Sequence, residues 1–302
     1  MTETSIAPIA GSALKAQAIG RKTIAFWVAA GVLCYLIFVE AFQDLYEFAT
    51  RSDSYYSHAL LVPFVSAFFL WRDRKVLSQM PTSPSILGYP FILIACVIVV
   101  VGDLLGFRIF GQIAVLPLLV GLILVFLGPR HLLRMWFPLV FLLFMIPLPM
   151  SLTTAMTFRA RMLATEGAVQ LWQAFFLPMV RDGSYIDFAG DRLLVGDVCS
   201  GLRSLIALLA LGAVMSYISR TKTWTRLLIL VASGPVAVAA NVFRIFLLCV
   251  VAYFWGSELA SGWVHDVSGI MIYVMALALM LALEALLRKI APVSEPENEG
   301  TG

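Results

Sequence analysis

Apolar runs of about 18 to 24 residues recur along this chain, and each matches the ~20 residues that carry a helix across ~30 Å of hydrocarbon. That pattern leaves few folds open. In lipid every backbone polar group has to be satisfied internally, so only helices and closed barrels span. The alternation in polarity that a barrel strand needs is absent. A soluble chain of this length would carry about a quarter charged residues; here 13% are charged and 61% apolar. The fold class is therefore all-α, a polytopic transmembrane bundle.

Eight spans are predicted, near 24–42, 58–71, 86–104, 109–128, 132–149, 201–219, 227–254 and 264–287, the second being short. Basic residues gather at Lys15/Arg21/Lys22, Arg72/Arg74/Lys75, Arg130/Arg134, Arg220/Lys222/Arg226 and Arg288/Lys289. These groups fall at alternate ends of successive spans, and the positive-inside rule puts them in the cytoplasm. Both termini are then cytoplasmic, and the acidic loop with Asp44, Glu47 and Asp53 lies outside. The segment 1–23 is a cytoplasmic head without a convincing signal-peptide cleavage site. Residues 24–290 form one membrane-embedded domain, and 291–302 (PVSEPENEGTG from Pro292) form a disordered tail.

The largest piece between spans is 150–200, an extracytoplasmic insert. From Ser151 to Leu177, Arg159, Glu166, Gln170 and Gln173 share one helical stripe, while Met162, Leu163, Val169, Trp172 and Phe176 fall largely elsewhere. This predicts an amphipathic helix in the outer interface. Glycines then punctuate RDGSYIDFAGDRLLVGDV, which reads as a small hairpin with strands at Tyr185–Phe188 and Leu193–Val195. The insert is either a lid over a site or an ordinary connection.

Span seven is too long and too polar for a simple crossing. It runs from Leu227 to Trp255, contains Gly234–Pro235, and carries Asn241 and Arg244 inside its apolar stretch. A broken or tilted helix with polar groups facing a cavity is expected. Counting ~1.5 Å per residue from Arg226 places Arg244 about 27 Å along, near the outer edge of the hydrocarbon. Cys199 heads span six and His265 heads span eight, so three reactive side chains reach one leaflet.

Cys199, in GDVCSGLRSL, is read at the first turn of a helix, where the dipole and a nearby cation favour the thiolate. It is a candidate nucleophile, against the alternative of a small packing residue, which is the reading for Cys34, Cys96 and Cys249. Arg244 in a span is costly and therefore faces protein or water. It is a candidate oxyanion donor or thiolate partner, against an interhelical ion pair or snorkelling. His265 (SGWVHDVSG) is a candidate acid/base, against a structural interfacial histidine. Asn241 shares a face with Arg244 and serves to orient it, to contact substrate, or only to bond a neighbouring helix. Arg203 lies one turn beyond Cys199 as support or as an anion-binding group. Ser200 is a rival nucleophile or a plain helix-start residue. His58 (YYSHALLVP) lies on the same side, while His131 (GPRHLLR) is a cytoplasmic flanking residue. Asp266 adjoins His265 but points elsewhere on a helix, so no Cys–His–Asp triad is assigned. No Cys/His spacing suggests a metal site, and no cofactor or nucleic-acid partner is expected.

At these residues the chain resembles the exosortase/archaeosortase family: CSGLRS at 199–204, the Asn-x-x-Arg of ANVFRI at Asn241–Arg244, and His265 at the start of the last span. YSHALLVPFVSAFFLWRDR at 56–74 and IPLP at 146–149 add to it, and the resemblance covers roughly 50–290. It implies a cysteine transpeptidase or protease of the bacterial inner membrane. Its substrates would be exported proteins ending in a short motif such as Pro-Glu-Pro, a transmembrane helix and a basic tail. Cys199, Arg244 and His265 would match the family's catalytic residues. A thioacyl enzyme would be released by water or by a lipid or glycan amine. The competing readings are an intramembrane serine protease using Ser200 and a transporter built around the proline-broken span.

Overall fold

The computed structural model describes residues 39–40, 43–50, 55–175, 179–183, 185–188, 191–194 and 201–290, and over them the chain is almost wholly helical. The predicted first span, 24–42, lies almost entirely outside the described residues, as do both terminal segments. A 3-10 turn, Ser57–Leu60, leads into α1 (Leu61–Arg72), followed by the short α2 (Arg74–Gln79). Helices α3 (Gly88–Leu105) and α4 (Ile109–Phe126) form an antiparallel hairpin. They touch through backbone: a Cβ on Gly88 would sit 2.4 Å from the Gly121 carbonyl oxygen.

Four helices are long and apolar enough to cross a membrane: α3, α4, α9 (Thr223–Trp255) and α11 (Trp263–Ile290). A broken fifth raises this to five, so the expected eight spans are not what the described residues contain. Two of the shortfalls are helices of 10 to 17 residues: the turn plus α1, and α8 (Leu202–Ile218). The predicted span 132–149 is instead α5 (Pro129–Arg134), α6 (Trp136–Phe141) and a 3-10 turn to Met145, after which the chain bends by 82° into α7 (Met150–Phe175). Prolines explain the break. Pro147 and Pro149 in IPLP carry no N–H and push the residues before them into extended backbone; Ile146 is extended, at ψ 120°.

The polar stripe of α7 is exposed at Arg159, Glu166, Gln170 and Gln173, as its spacing predicts. Its opposite face packs along α9. Gly167 lies against Val242, and the Trp172 ring sits 6.3 Å from Phe246 and 5.2 Å from Tyr253. That face is therefore spent on protein. Beyond α7 come three strands where two were predicted: β1 (Val180–Asp182), β2 (Tyr185–Phe188) and β3 (Asp191–Leu194), antiparallel in that order. Arg181 and Gln173 fold this sheet back on α7. Arg181 meets Glu166 at 3.2 Å, and Gln173 donates to the Met179 carbonyl at 2.8 Å.

Helix α9 is 33 residues long and unbroken, although Pro235 lies inside it. The expected break is absent. Loss of one N–H is a local defect, and α8 and α11 pack on α9 to either side of it. A Cβ on Gly212 of α8 would lie 2.5 Å from the Ser233 Cβ, so the two helices are nearly in backbone contact at the proline. The chain then turns through α10 (Ser257–Ser261) into α11. The α8–α9–α11 triplet carries the candidate site at the end where α8 begins, α9 ends and α11 begins.

Candidate active site

Helix α8 starts at Leu202, capped by Gly201 in the left-handed conformation at φ 76°. A residue with a side chain pays about 1–2 kcal/mol for that backbone, which is why a glycine occupies it. Cys199 and Ser200 themselves lie outside the described residues.

Gly201 has a second reason to be glycine. A Cβ there would fall 2.5 Å from Nδ2 and 2.6 Å from Cγ of Asn241. The start of α8 therefore lies directly on Asn241, which is 2% exposed. One turn further along α9 comes Arg244, 6% exposed. Its guanidinium reaches α11. Nε donates to Ser268 Oγ at 3.0 Å, and Nη2 faces both Nε2 and the carbonyl oxygen of His265, each at 3.1 Å. Ser268 Oγ donates in turn to the same carbonyl at 2.7 Å. A buried arginine is costly unless its N–H groups are taken up, and α11 supplies three acceptors within one turn.

This geometry sets the protonation of His265. Arginine has no lone pair to offer, so Nε2 is the acceptor. The imidazole is then neutral, with its proton on Nδ1. In this arrangement His265 has no proton to deliver from Nε2, and it gains one there only after Nη2 withdraws.

The described part of the predicted site thus falls into two groups. Arg244, His265 and Asn241 are brought together, with Gly201 against them. Arg203 lies on the first turn of α8, two residues beyond Gly201. His58 lies beside Tyr56, whose apolar core also takes in Leu202 and Ile206 of α8. Its ring stacks on Tyr56 at 5.9 Å, and the Tyr56 hydroxyl accepts the Leu148 N–H at 2.9 Å, among side chains from α1 and α6. His131 is buried against the Leu77 carbonyl at 3.3 Å, a packing position. Cys249 is fully buried and Cys96 half-buried, both as free thiols.

Sequence reasoning missed Gly201 and Ser268. The signal for Ser268 was present as a hydroxyl one helical turn after a histidine at a helix start. Beside the cluster, Ala160 and Ala164 of α7, Leu205 of α8, and Ala237 and Val238 of α9 line a small open recess with Gly201 and Asn241. Among the described residues no group of three or more His, Cys, Asp or Glu side chains is placed to hold a metal ion.

A thiol or hydroxyl delivered to this cluster would meet a pinned guanidinium and an imidazole. Those are the parts that nucleophilic attack on a carbonyl requires. The family model described as transmembrane exosortase matches residues 50–282, more than three quarters of the chain. No curated protein and no solved structure matches.

Proposed function

Because the chain belongs to the transmembrane exosortase family, we propose that it is a membrane-embedded cysteine transpeptidase or protease cleaving the C-terminal sorting signal of exported proteins. The observation that carries this reading is the Arg244–His265 pair, held 3.1 Å apart and set beside Asn241 and Gly201. Chain connectivity supports Cys199 as the nucleophile. One residue, Ser200, separates it from Gly201, and two steps of ~3.8 Å between consecutive Cα atoms keep its Cα within about 7.6 Å of the Gly201 Cα.

The proposed sequence of events is as follows. The Cys199 thiol passes its proton to His265 Nε2 as Arg244 Nη2 turns away, leaving a thiolate beside Arg244 and an imidazolium with protons on both ring nitrogens. The thiolate attacks the scissile carbonyl carbon. The electron pair of the C=O bond moves to oxygen, and the Arg244 guanidinium donates hydrogen bonds to that oxyanion. Collapse breaks the C–N bond; His265 returns the Nε2 proton to the departing amine, and a thioester joins the substrate to Cys199. Water then gives proteolysis, or a lipid or glycan amine gives anchoring, with His265 taking the proton of the incoming group.

The site lies on the extracytoplasmic side of the inner membrane, with both chain termini in the cytoplasm. The substrates are exported proteins carrying a Pro-Glu-Pro-type motif, a transmembrane helix and a basic tail. The test is cleavage of such a protein, tagged at both ends, in cells making the Cys199→Ala, Arg244→Ala, His265→Ala or Ser200→Ala variant at equal abundance. The first three are expected to abolish cleavage and the last to retain it. Cleavage that survives Cys199→Ala but not Ser200→Ala would make the enzyme a serine protease. Survival in all four would remove enzymology altogether and return the transporter.

A further inference from the structure

The guanidinium of Arg244 has five N–H groups. Helix α11 takes three of them: Nε–H by Ser268 Oγ, and the two on Nη2 by His265. None of the described residues takes the two on Nη1. The group is therefore oriented: its Nε/Nη2 edge is tied to α11, and Nη1 is the end presented to a substrate.

We propose that Ser268 is the positioning residue that sets this orientation, a refinement that rests on the catalytic reading above. Its hydroxyl is well placed for the task. It is 5% exposed, and it accepts from Arg244 Nε while donating to the His265 carbonyl. One side chain thus bridges the arginine to the backbone of the residue the arginine also touches. Nη2 has to leave His265 Nε2 for that imidazole to collect a proton. During that movement the Ser268–Nε bond and the Nη2–carbonyl bond keep the guanidinium from swinging away. Ser268 is a pivot, and Nη1 and the released N–H of Nη2 turn about it toward the oxyanion. Without the hydroxyl, Nε–H would be buried unsatisfied, and the guanidinium would reorient to recover a partner.

A bond to a charged group that positions a transition-state donor is worth a loss of about tenfold to a hundredfold in rate. In membranes holding the full chain, with the tagged sorting-signal protein as probe, Ser268→Ala is expected to lower kcat by about that factor and to leave KM within about twofold, because the oxyanion exists only in the transition state. Ser268→Thr keeps the hydroxyl and is expected to recover most of the rate. Arg244→Lys removes Nε and the fork together, so adding Ser268→Ala to Arg244→Lys is expected to cost less than about twofold more.

Full activity in Ser268→Ala, failure of Thr to recover it, or losses that multiply in the double variant would each overturn the assignment. Additive losses would mean that Ser268 supports the bundle rather than Arg244. The cleaved probe must depend on Cys199 throughout. If Cys199→Ala still cleaves, the catalytic reading fails and the Ser268 role fails with it. If cleavage needs Cys199 but ignores Ser268, only the Ser268 role fails.

Discussion

Gly201→Ala is the perturbation whose consequence can be worked most directly from the structure. Two costs add. The first is conformational: at φ 76° a side-chain-bearing residue is disfavoured by about 1–2 kcal/mol. The second is steric. The new methyl would sit 2.5 Å from Nδ2, 2.6 Å from Cγ and 3.1 Å from Cβ of Asn241, all on a residue that is 2% exposed. Overpacking of that kind costs about 1–3 kcal/mol. The expected destabilisation is therefore about 2–5 kcal/mol, expressed as a lower melting temperature in mild detergent. Cleavage should fall with it, because the methyl pushes the chain segment ahead of α8 away from Asn241 and Arg244.

The two costs can be separated. Asn241→Ala removes Nδ2 and Cγ, two of the three offending atoms, and does nothing for the backbone. A double variant is thus expected to be more stable than the two single losses imply, by about 1–3 kcal/mol, while the conformational share of the loss persists. The measurement is a thermal or denaturant unfolding cycle over the four proteins. A Gly201→Ala protein that melts like the parent, or a double variant whose losses simply add, would refute the contact between the cap of α8 and Asn241.

Three further outcomes follow from the helix contacts. Pro235→Ala is expected to raise stability by about 1 kcal/mol or more and to leave cleavage intact, because the helix is already continuous through that position and the new N–H completes its ladder; a loss in unfolding experiments would show that the proline is used. Gly88→Ala is expected to destabilise by about 1–3 kcal/mol, since its methyl meets backbone 2.4 Å away, whereas Gly269→Ala, whose nearest neighbour is Arg244 Nη2 at 3.6 Å, should melt within about 1 kcal/mol of the parent. Arg108→Ala breaks a 2.9 Å bond to Asp44, but the arginine side chain is 79% exposed, and the expected change is below about 1 kcal/mol.

Much of this architecture could be read from residue patterns, because lipid makes the chemistry of a span simple. The apolar runs at 86–104, 109–128, 227–254 and 264–287 became the helices Gly88–Leu105, Ile109–Phe126, Thr223–Trp255 and Trp263–Ile290, and the polar stripe on α7 emerged where its spacing put it. Patterns failed where proline and glycine had to be weighed against packing. Pro235 was expected to break α9, but close contact with α8 at Gly212 keeps the helix whole. The predicted span 132–149 ran through Pro147 and Pro149, yet the chain turns by 82° there. For the site, the intramembrane Arg244 pointed to its own importance, because an arginine in an apolar run needs partners. Counting along helices brought it to His265. What counting could not supply was which atoms meet. Ser268 and Gly201 become visible only when α9 is docked against α11 and α8.

The Arg244 cluster also explains why a charge can be kept there at all. A guanidinium with no partners would not remain buried at 6% exposure. The acceptors that hold it are a neutral imidazole, a hydroxyl and a backbone carbonyl, and none of the three is an anion. A carboxylate in their place would neutralise the arginine and remove its pull on a developing negative charge. Neutral acceptors on Nε and Nη2 leave the positive charge uncancelled by those partners. Replacing Ser268 with Asp would test this logic directly. The carboxylate would cancel the charge of Arg244 and lose the bond donated to the His265 carbonyl, and it is expected to lower the cleavage rate. A faster enzyme in that variant would mean that the uncancelled charge of Arg244 is not what the site exploits.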